Sequence, residues 1–200
     1  MSTPAHLRPE GDGTTPLTPD EAVQLKPSWI IDRGALNAAE ARAIAEVQQE
    51  LMKRPPALSR ILDDLWLRQL HRRMFGAIWE WAGGYRATER NIGLDPRHIA
   101  VAVRNLVDDA RVWFEDERPV RPAARFHHRL VQIHPFPDGN GRHARLATDA
   151  CLRACGGAPF TWGANLVDMP MQERRQRYYA ALRQADRDGD LSALEQYVQA

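Results

Sequence analysis

The sequence has little that would direct the chain to secretion, to a membrane or to nucleic acid. Its 200 residues include only two cysteines, too few for a disulfide framework, which favours a reducing compartment. No apolar run is long enough to span a bilayer, and the first residues lack a basic region followed by an apolar stretch. The 27 Lys and Arg balance 26 Asp and Glu, so the net charge does not attract nucleic acid or anionic lipid. These absences predict a cytoplasmic protein in which any anion site is local.

The chain is long enough for one substantial core and too short for two ordinary domains. Residues 1–34 are predicted to be an irregular arm, because most of this stretch is rich in Pro, Thr, Gly and Asp without apolar periodicity. The rest, 35–200, is predicted to be one mainly α-helical domain with C-terminal helices. Asn37 and Glu40 resemble a capping box that opens its first helix. Apolar spacing predicts the helices at about 37–54, 59–81, 96–117, 122–134, 141–155, 170–187 and 190–200.

The segment that follows the second predicted helix has a different character. Gly83 and Gly84 break the helical pattern, and YRATERNIGLD then combines alternating side chains with an Asn and a Gly. This pattern predicts a short β-hairpin, or flap, over residues 86–95.

The residues that could carry out chemistry are concentrated in one segment, IHPFPDGNGRHARL, residues 133–146. Gly139, Asn140 and Gly141 tolerate left-handed backbone angles, so that successive N–H groups can converge on one point at the start of a helix. The start of a helix carries partial positive charge, which makes Arg142 and Arg145 unfavourable there unless an anion is bound. Three residues apart, both guanidinium groups can reach one polyphosphate.

Asp138 and His134, which precede this turn, could supply the other groups that a phosphoryl-transfer site needs. Asp138 could hold a divalent cation against the same phosphates, because Mg²⁺ often uses few protein carboxylates together with substrate oxygens. His134, at the end of a predicted helix, could act as a general base near neutral pH. Together the groups suit attack on a phosphoryl centre.

Each of these residues also has a simpler structural interpretation. His134 alone could be a capping or core histidine, and Asp138 could be a helix N-cap without a metal. The arginines could be neutralised by carboxylates such as Asp149 or Glu115. The close spacing of all these features favours the functional interpretation.

A zinc hydrolase site is a second alternative, since His127, His128 and His143 are near in sequence. No HExxH-type spacing supports it, and these histidines are expected at the surface or behind the site. Cys151 and Cys155 are expected to be small core residues.

The stretch HPFPDGNGRHAR resembles the Fic motif, H-x-F-x-(D or E)-G-N-G-R-x-x-R, at every specified position. The resemblance implies a Fic-type helical bundle over residues 35–200, with the short β-hairpin flap beside the active-site loop. It implies that His134 deprotonates a target hydroxyl, that Phe136 anchors the loop in the core and that Asp138 binds Mg²⁺ or Mn²⁺.

The same resemblance assigns the anion site. Gly139, Asn140 and Gly141 would form the anion hole for the α- and β-phosphates of ATP. Arg142 would hold the β- and γ-phosphates, and Arg145 would complete the γ-phosphate site. The implied reaction is transfer of AMP from ATP to a Tyr, Ser or Thr hydroxyl of a target protein, with release of pyrophosphate.

The flap would align a strand of the target by main-chain pairing, through Arg86, Thr88, Asn91 and Ile92. No membrane and no direct nucleic-acid partner is expected. The sequence is also similar to the subgroup named mobile mystery protein B, whose members resemble partners of helix-turn-helix proteins. A toxin of a toxin–antitoxin-like pair is also expected, and its small separate antitoxin is inferred from the inhibitory motif considered next.

Many Fic proteins carry an inhibitory helix with Ser or Thr four residues before a Glu that is followed by Gly or Asn. Within these 200 residues only Glu10 is followed by Gly, and His6 stands four positions before it, so the pattern is not met. A partner-free chain is therefore expected to be active. Three alternatives stay open: transfer of UMP, phosphate or phosphocholine, removal of AMP, and a non-enzymatic module that binds a phosphorylated partner.

Overall fold

A computed structural model describes residues 17–200, which fold into nine α-helices without any strand. The helices are α1 (Pro19–Ala22), α2 (Arg33–Lys53), α3 (Leu58–Ile61), α4 (Asp64–Phe75), α5 (Ile99–Asp116), α6 (Val120–Ile133), α7 (Asn140–Ala154), α8 (Met171–Asp188) and α9 (Ser192–Gln199). In this part of the chain, every helix is too short or too polar to cross a membrane.

The described part of the predicted arm is more ordered than its composition indicates. Thr18 and Glu21 form a reciprocal capping box at the start of α1. Further along, Leu25 makes an isolated antiparallel bridge with Trp79, and Ile30 is buried. The other predicted arm residues, 1–16, lie outside the described residues, and the domain boundary at residue 34 stays a prediction.

Helix α2 begins four residues earlier than predicted, so the capping box assigned to Asn37 and Glu40 is wrong. Asp32 is the N-cap, and its carboxylate accepts the N–H of Ala35 at 2.8 Å. Glu40 is consequently inside the helix, where its side chain is turned toward the core and is 3% exposed.

The second predicted helix is interrupted, since α3 and α4 are separate and the chain leaves α4 at Gly76. Asp63 caps α4 by accepting the N–H of Trp66 at 2.9 Å. The apolar spacing correctly predicted that Leu70 and Met74 are in the core. It could not show that Asp63 caps a new helix and so interrupts the predicted helix at 59–81.

Helices α5 to α9 confirm the predicted helices after residue 96. The central pair is α6 and α7, which pack along the small side chains of Ala144, Ala147 and Cys151, all fully buried. Helices α8 and α9 add a smaller apolar cluster around Leu182 and Leu194. The loop between α6 and α7 thus joins two helices that pack directly on each other.

The predicted β-hairpin at 86–95 is wrong for this structure, because the segment forms bends and turns without strand pairing. The guanidinium of Arg86 donates hydrogen bonds to the carbonyls of Thr88 and Leu94. In a hairpin, these carbonyls would instead accept from the N–H groups of the paired strand. The segment keeps the name flap in the following text.

Candidate active site

The loop between α6 and α7 begins and ends with left-handed residues. His134 follows α6 with φ 54° and ψ 61°, and its N–H donates to the carbonyl of Leu130 at 3.2 Å. Gly139 precedes α7 with φ 77°, and a Cβ there would lie 2.5 Å from the ring of Phe75. A left-handed residue other than Gly is uncommon, and such strain often occurs at functional sites.

Asn140 holds the loop closed through its side chain. Its Nδ2 donates to the carbonyl of Phe136, and its Oδ1 accepts the N–H of the same residue, each at 2.8 Å. The Phe136 ring is 1% exposed and stacks on His71 with centroids 3.8 Å apart, as expected of a loop anchor. The Asn140 side chain therefore braces the loop, and only its backbone N–H remains for an anion.

His71 is a second brace, which the sequence did not reveal. Its Nδ1 accepts the N–H of Gly83 at 3.0 Å, so Nε2 carries the proton and donates to the carbonyl of Asp138, also at 3.0 Å. Burial, together with the nearby His143, lowers the pKa of His71 well below 6.5. A neutral, single-tautomer imidazole thus joins the loop to the start of the flap region.

The first motif arginine, Arg142, is surrounded by acidic and aromatic groups. Its guanidinium donates to Glu40 at 2.5 Å, lies 3.4 Å from the carboxylate of Asp138 and is 4.9 Å from the centroid of Phe75. Neither Asp149 nor Glu115, the carboxylates considered from the sequence, pairs with it.

The second motif arginine, Arg145, contacts rings instead. Its guanidinium lies 5.5 Å from the centroid of Trp162 and 4.9 Å from that of Tyr178. Asp149 instead accepts from the Trp162 indole at 3.0 Å. Within residues 17–200, no carboxylate oxygen lies within ion-pair distance of Arg145. Both arginines face a pocket lined by Ile44, Gln48, Arg142, Arg145, Leu146, Asp149 and Trp162.

His134 is 7% exposed, and burial together with the charge of Arg86 lowers its pKa to about 4. The imidazole is therefore neutral at pH 7, as a general base must be. Gly93 of the flap has φ 95°, and a Cβ there would lie only 2.5 Å from the Cβ of His134. The flap backbone thus packs directly on His134, which only glycine allows.

The flap has one buried residue among those predicted to position a target. Arg86 is 3% exposed, and its Nε donates to the carbonyl of His134 at 2.7 Å. Its backbone N–H donates to the carbonyl of Pro135 at 2.9 Å. Thr88, Asn91 and Ile92 are exposed. Arg86 therefore holds the flap against the loop, and the exposed residues remain available to a partner.

The other histidines have separate structural partners. His127 and His143 are fully buried, and they contact Tyr178 and the carbonyl of Leu67. The ring of His143 lies 4.9 Å from that of Phe136, behind the site, which is one of the two expected positions. His128 pairs with Asp186 at 2.9 Å. Among the described residues, no three His, Cys, Asp or Glu converge as a metal site would require.

The comparisons with known proteins agree with this geometry. Residues 61–152 match the model of the Fic/DOC family. The chain is 35% identical over 147 residues to protein adenylyltransferase fic-1 of Caenorhabditis elegans, an alignment that covers 68% of this chain and 26% of the relative. The chain belongs to the Fic/DOC family.

Solved Fic structures share the fold over nearly the whole chain. The N-terminal Fic domain of a Bep effector from Bartonella quintana superposes with a TM-score of 0.69 at 17% identity, covering 90% of this chain and 91% of the other. BepC of Bartonella tribocorum, solved with bound AMPPNP, gives 0.66 at 19% identity, with coverage of 88% and 90%. By contrast, the chain spans about a quarter of the length of the curated Fic relatives that it matches.

Proposed function

We propose that this Fic protein transfers AMP from ATP to a hydroxyl side chain of a target protein. The observation that carries the proposal is the intact loop, in which a neutral His134 precedes Asp138 and a helix start with two arginines that face one pocket. The adenylyltransferase names of the curated relatives support the same reaction.

In this proposal His134 takes the proton of a Tyr, Ser or Thr hydroxyl. The hydroxyl oxygen forms a bond to the α-phosphorus, and the bond from that phosphorus to the bridging oxygen of the β-phosphate breaks. Pyrophosphate leaves with the electron pair of that bond. A pKa of about 4 keeps the imidazole unprotonated at pH 7.

The phosphates would lie at the start of α7. The backbone N–H groups of Gly139, Asn140 and Gly141 have no earlier helical turn to donate to, and they are the natural donors to an anion. Arg142 would contact the β- and γ-phosphates and Arg145 the γ-phosphate. Since Arg145 has aromatic contacts and no ion pair within residues 17–200, its charge is available to such an anion.

Asp138 fits the Mg²⁺ or Mn²⁺ implied by the family. Its side chain is 34% exposed, and a carboxylate oxygen is a ligand that these cations prefer. Desolvation raises the pKa of Asp138 while Arg142 opposes the rise, so a bound cation would favour the ionised carboxylate. The cation would neutralise phosphate charge when bound.

The target would lie along the flap, where Thr88, Asn91 and Ile92 are exposed while Arg86 holds the segment in place. Control would come from a separate small antitoxin or from a helix-turn-helix partner. The support for a separate inhibitor is the missing inhibitory pattern within the printed sequence.

The test is incubation with Mg²⁺, cell lysate and ATP labelled either at the α- or at the γ-phosphate. We expect protein labelling from the α-phosphate only. His134→Ala should lower it by roughly a hundredfold to ten-thousandfold, the contribution typical of a general base. His98→Ala is the matched control, because His98 is exposed at the start of α5.

Other outcomes would contradict the proposal in defined ways. Labelling from the γ-phosphate alone would indicate a kinase, and stronger labelling from UTP would indicate another transferred group. Loss of AMP from a modified protein without labelling would indicate the reverse activity. Full labelling by His134→Ala would exclude the assigned base.

A further inference from the structure

A buried carboxylate lies behind the phosphate site, contributed by a helix outside the motif. Glu40 of α2 is 3% exposed, and it stands 102 positions before Arg142, to which it is hydrogen-bonded at 2.5 Å. Burial of a carboxylate is costly unless both oxygens have partners. Glu40 meets this condition, because its other oxygen accepts the indole N–H of Trp79 at 2.8 Å.

Trp79 gives this carboxylate a fixed orientation. Its side chain is fully buried and stacks on Trp81 with centroids 5.0 Å apart and an interplanar angle of 22°. Its backbone bridges to Leu25. Because the indole cannot turn without disturbing these contacts, the Glu40 oxygen that faces Arg142 is also fixed.

The fixed carboxylate limits the positions open to Arg142. An arginine in the first turn of a helix is repelled by the helix dipole, and its long side chain would otherwise sample many rotamers. The Arg142 side chain is 42% exposed, while its inner edge contacts Glu40 and Phe75. One face is therefore held by the core, and the other can meet a ligand.

Glu40 could in principle compete with phosphate for Arg142. Two features argue against competition: a guanidinium has more N–H bonds than Glu40 and Asp138 use, and Glu40 would lose the Trp79 indole if it moved. The contact thus orders the arginine and leaves donors for an anion.

We propose that Glu40, itself fixed by Trp79, is a positioning residue that holds Arg142 in the orientation in which it binds the phosphates of the nucleotide. The proposal rests on the function proposed above. It adds a residue of α2 to the determinants of nucleotide affinity.

The test is calorimetric titration of the whole chain with Mg²⁺–AMPPNP, together with AMP-transfer kinetics. Glu40→Ala should weaken binding by about tenfold or more, since a charge-assisted hydrogen bond is lost. It should raise KM for ATP more than it lowers kcat, whereas a purely structural defect would lower the active fraction without raising KM. Trp79→Phe should shift binding in the same direction by less.

Two controls separate the effect from general damage. Glu46→Gln removes an exposed carboxylate of the same helix, which pairs with Arg42 at 3.5 Å, and it should leave binding unchanged. If Glu40 acts through Arg142, Glu40→Gln should have no further effect on binding in an Arg142→Ala background. Should Glu40→Ala unfold, Glu40→Gln and Trp79→Phe provide the same comparison.

Unchanged binding by the folded Glu40 variants would overturn the inference and leave the proposed function intact. Tighter binding or faster transfer would overturn it too, because Glu40 would then be a competitor. If the wild-type chain binds no nucleotide at all, both the proposed function and this inference fail.

Discussion

The motif loop, residues 134–145, and the flap, residues 86–95, meet at His134, but different contacts hold them. Asn140 and His71 tie the loop to itself and to α4 through three hydrogen bonds, and His71 also accepts the N–H of Gly83. The flap is held by long side chains: Arg86 donates to three carbonyls, and Arg90 pairs with Glu21 of α1. A rigid loop suits a fixed phosphate site, and a segment held by side chains without strand pairing suits a surface that must accept different targets.

The largest expected effect is on the loop. Gly139→Ala should lower the free energy of unfolding by roughly 2–4 kcal/mol, since left-handed strain adds to overpacking against Phe75. Gly141→Ala is the control for stability, because a Cβ there meets nothing within 4 Å. Urea unfolding measures both variants, and equal stability of the two would show that the loop is not rigidly packed.

Acid should also destabilise the fold, through the buried histidines in and behind the motif loop. Burial is the main cause that lowers the pKa of His134 and of His143 to about 4 and that of His71 well below 6.5. At these three histidines the unfolded chain binds more protons between pH about 6.5 and about 4, so the stability that they contribute above this range is lost as the pH falls through it. Burial raises the pKa of Asp149 to about 6, which partly offsets this loss. Thermal unfolding should show a falling Tm.

His71→Gln would sharpen this measurement, because the amide has a donor and an acceptor but does not titrate. The variant should lose less stability between pH 7 and pH 5 than the wild type. An unchanged pH dependence would mean that His71 is not buried in its neutral form.

A smaller effect is expected at the flap. Arg86→Lys should leave carbonyls of the flap unsatisfied and speed amide exchange at Leu94 by about tenfold to a hundredfold, equivalent to about 1–3 kcal/mol. The amide of His143, which lies in the first turn of α7 and is bonded to the carbonyl of Gly139, should change less. Arg97→Lys is the control, since the Arg97 side chain is 83% exposed. Equal exchange rates in both variants would contradict the role given to Arg86.

The smallest effect on stability is expected at the exposed part of the flap. Ile92 is 40% exposed, so Ile92→Ser should change the unfolding free energy by less than about 0.5 kcal/mol. Labelling of the target protein should nevertheless decrease, while binding of Mg²⁺–AMPPNP stays the same. Val101→Ser, on the exposed side of α5, provides the comparison. Normal target labelling by Ile92→Ser would show that this residue does not take part in binding the target.

The sequence predicted the loop better than its surroundings. The motif and the helical spacing of α5 to α7 are local, so the turn at Gly139–Gly141 and the helix after it could be located. Glu40 and Arg142 are 102 positions apart, and no local pattern pairs them. The hairpin was predicted from alternation, but Arg86 occupies the carbonyls that strand pairing would use.

The most direct test of the account is a crystal structure of the His134→Ala variant with Mg²⁺ and AMPPNP. We expect the β- and γ-phosphates at the N–H groups of residues 139–141, contacted by Arg142 and Arg145, with the metal on Asp138 and the α-phosphorus open toward the position of the missing imidazole. A nucleotide bound elsewhere, or arginines turned away from its phosphates, would contradict the proposed reaction.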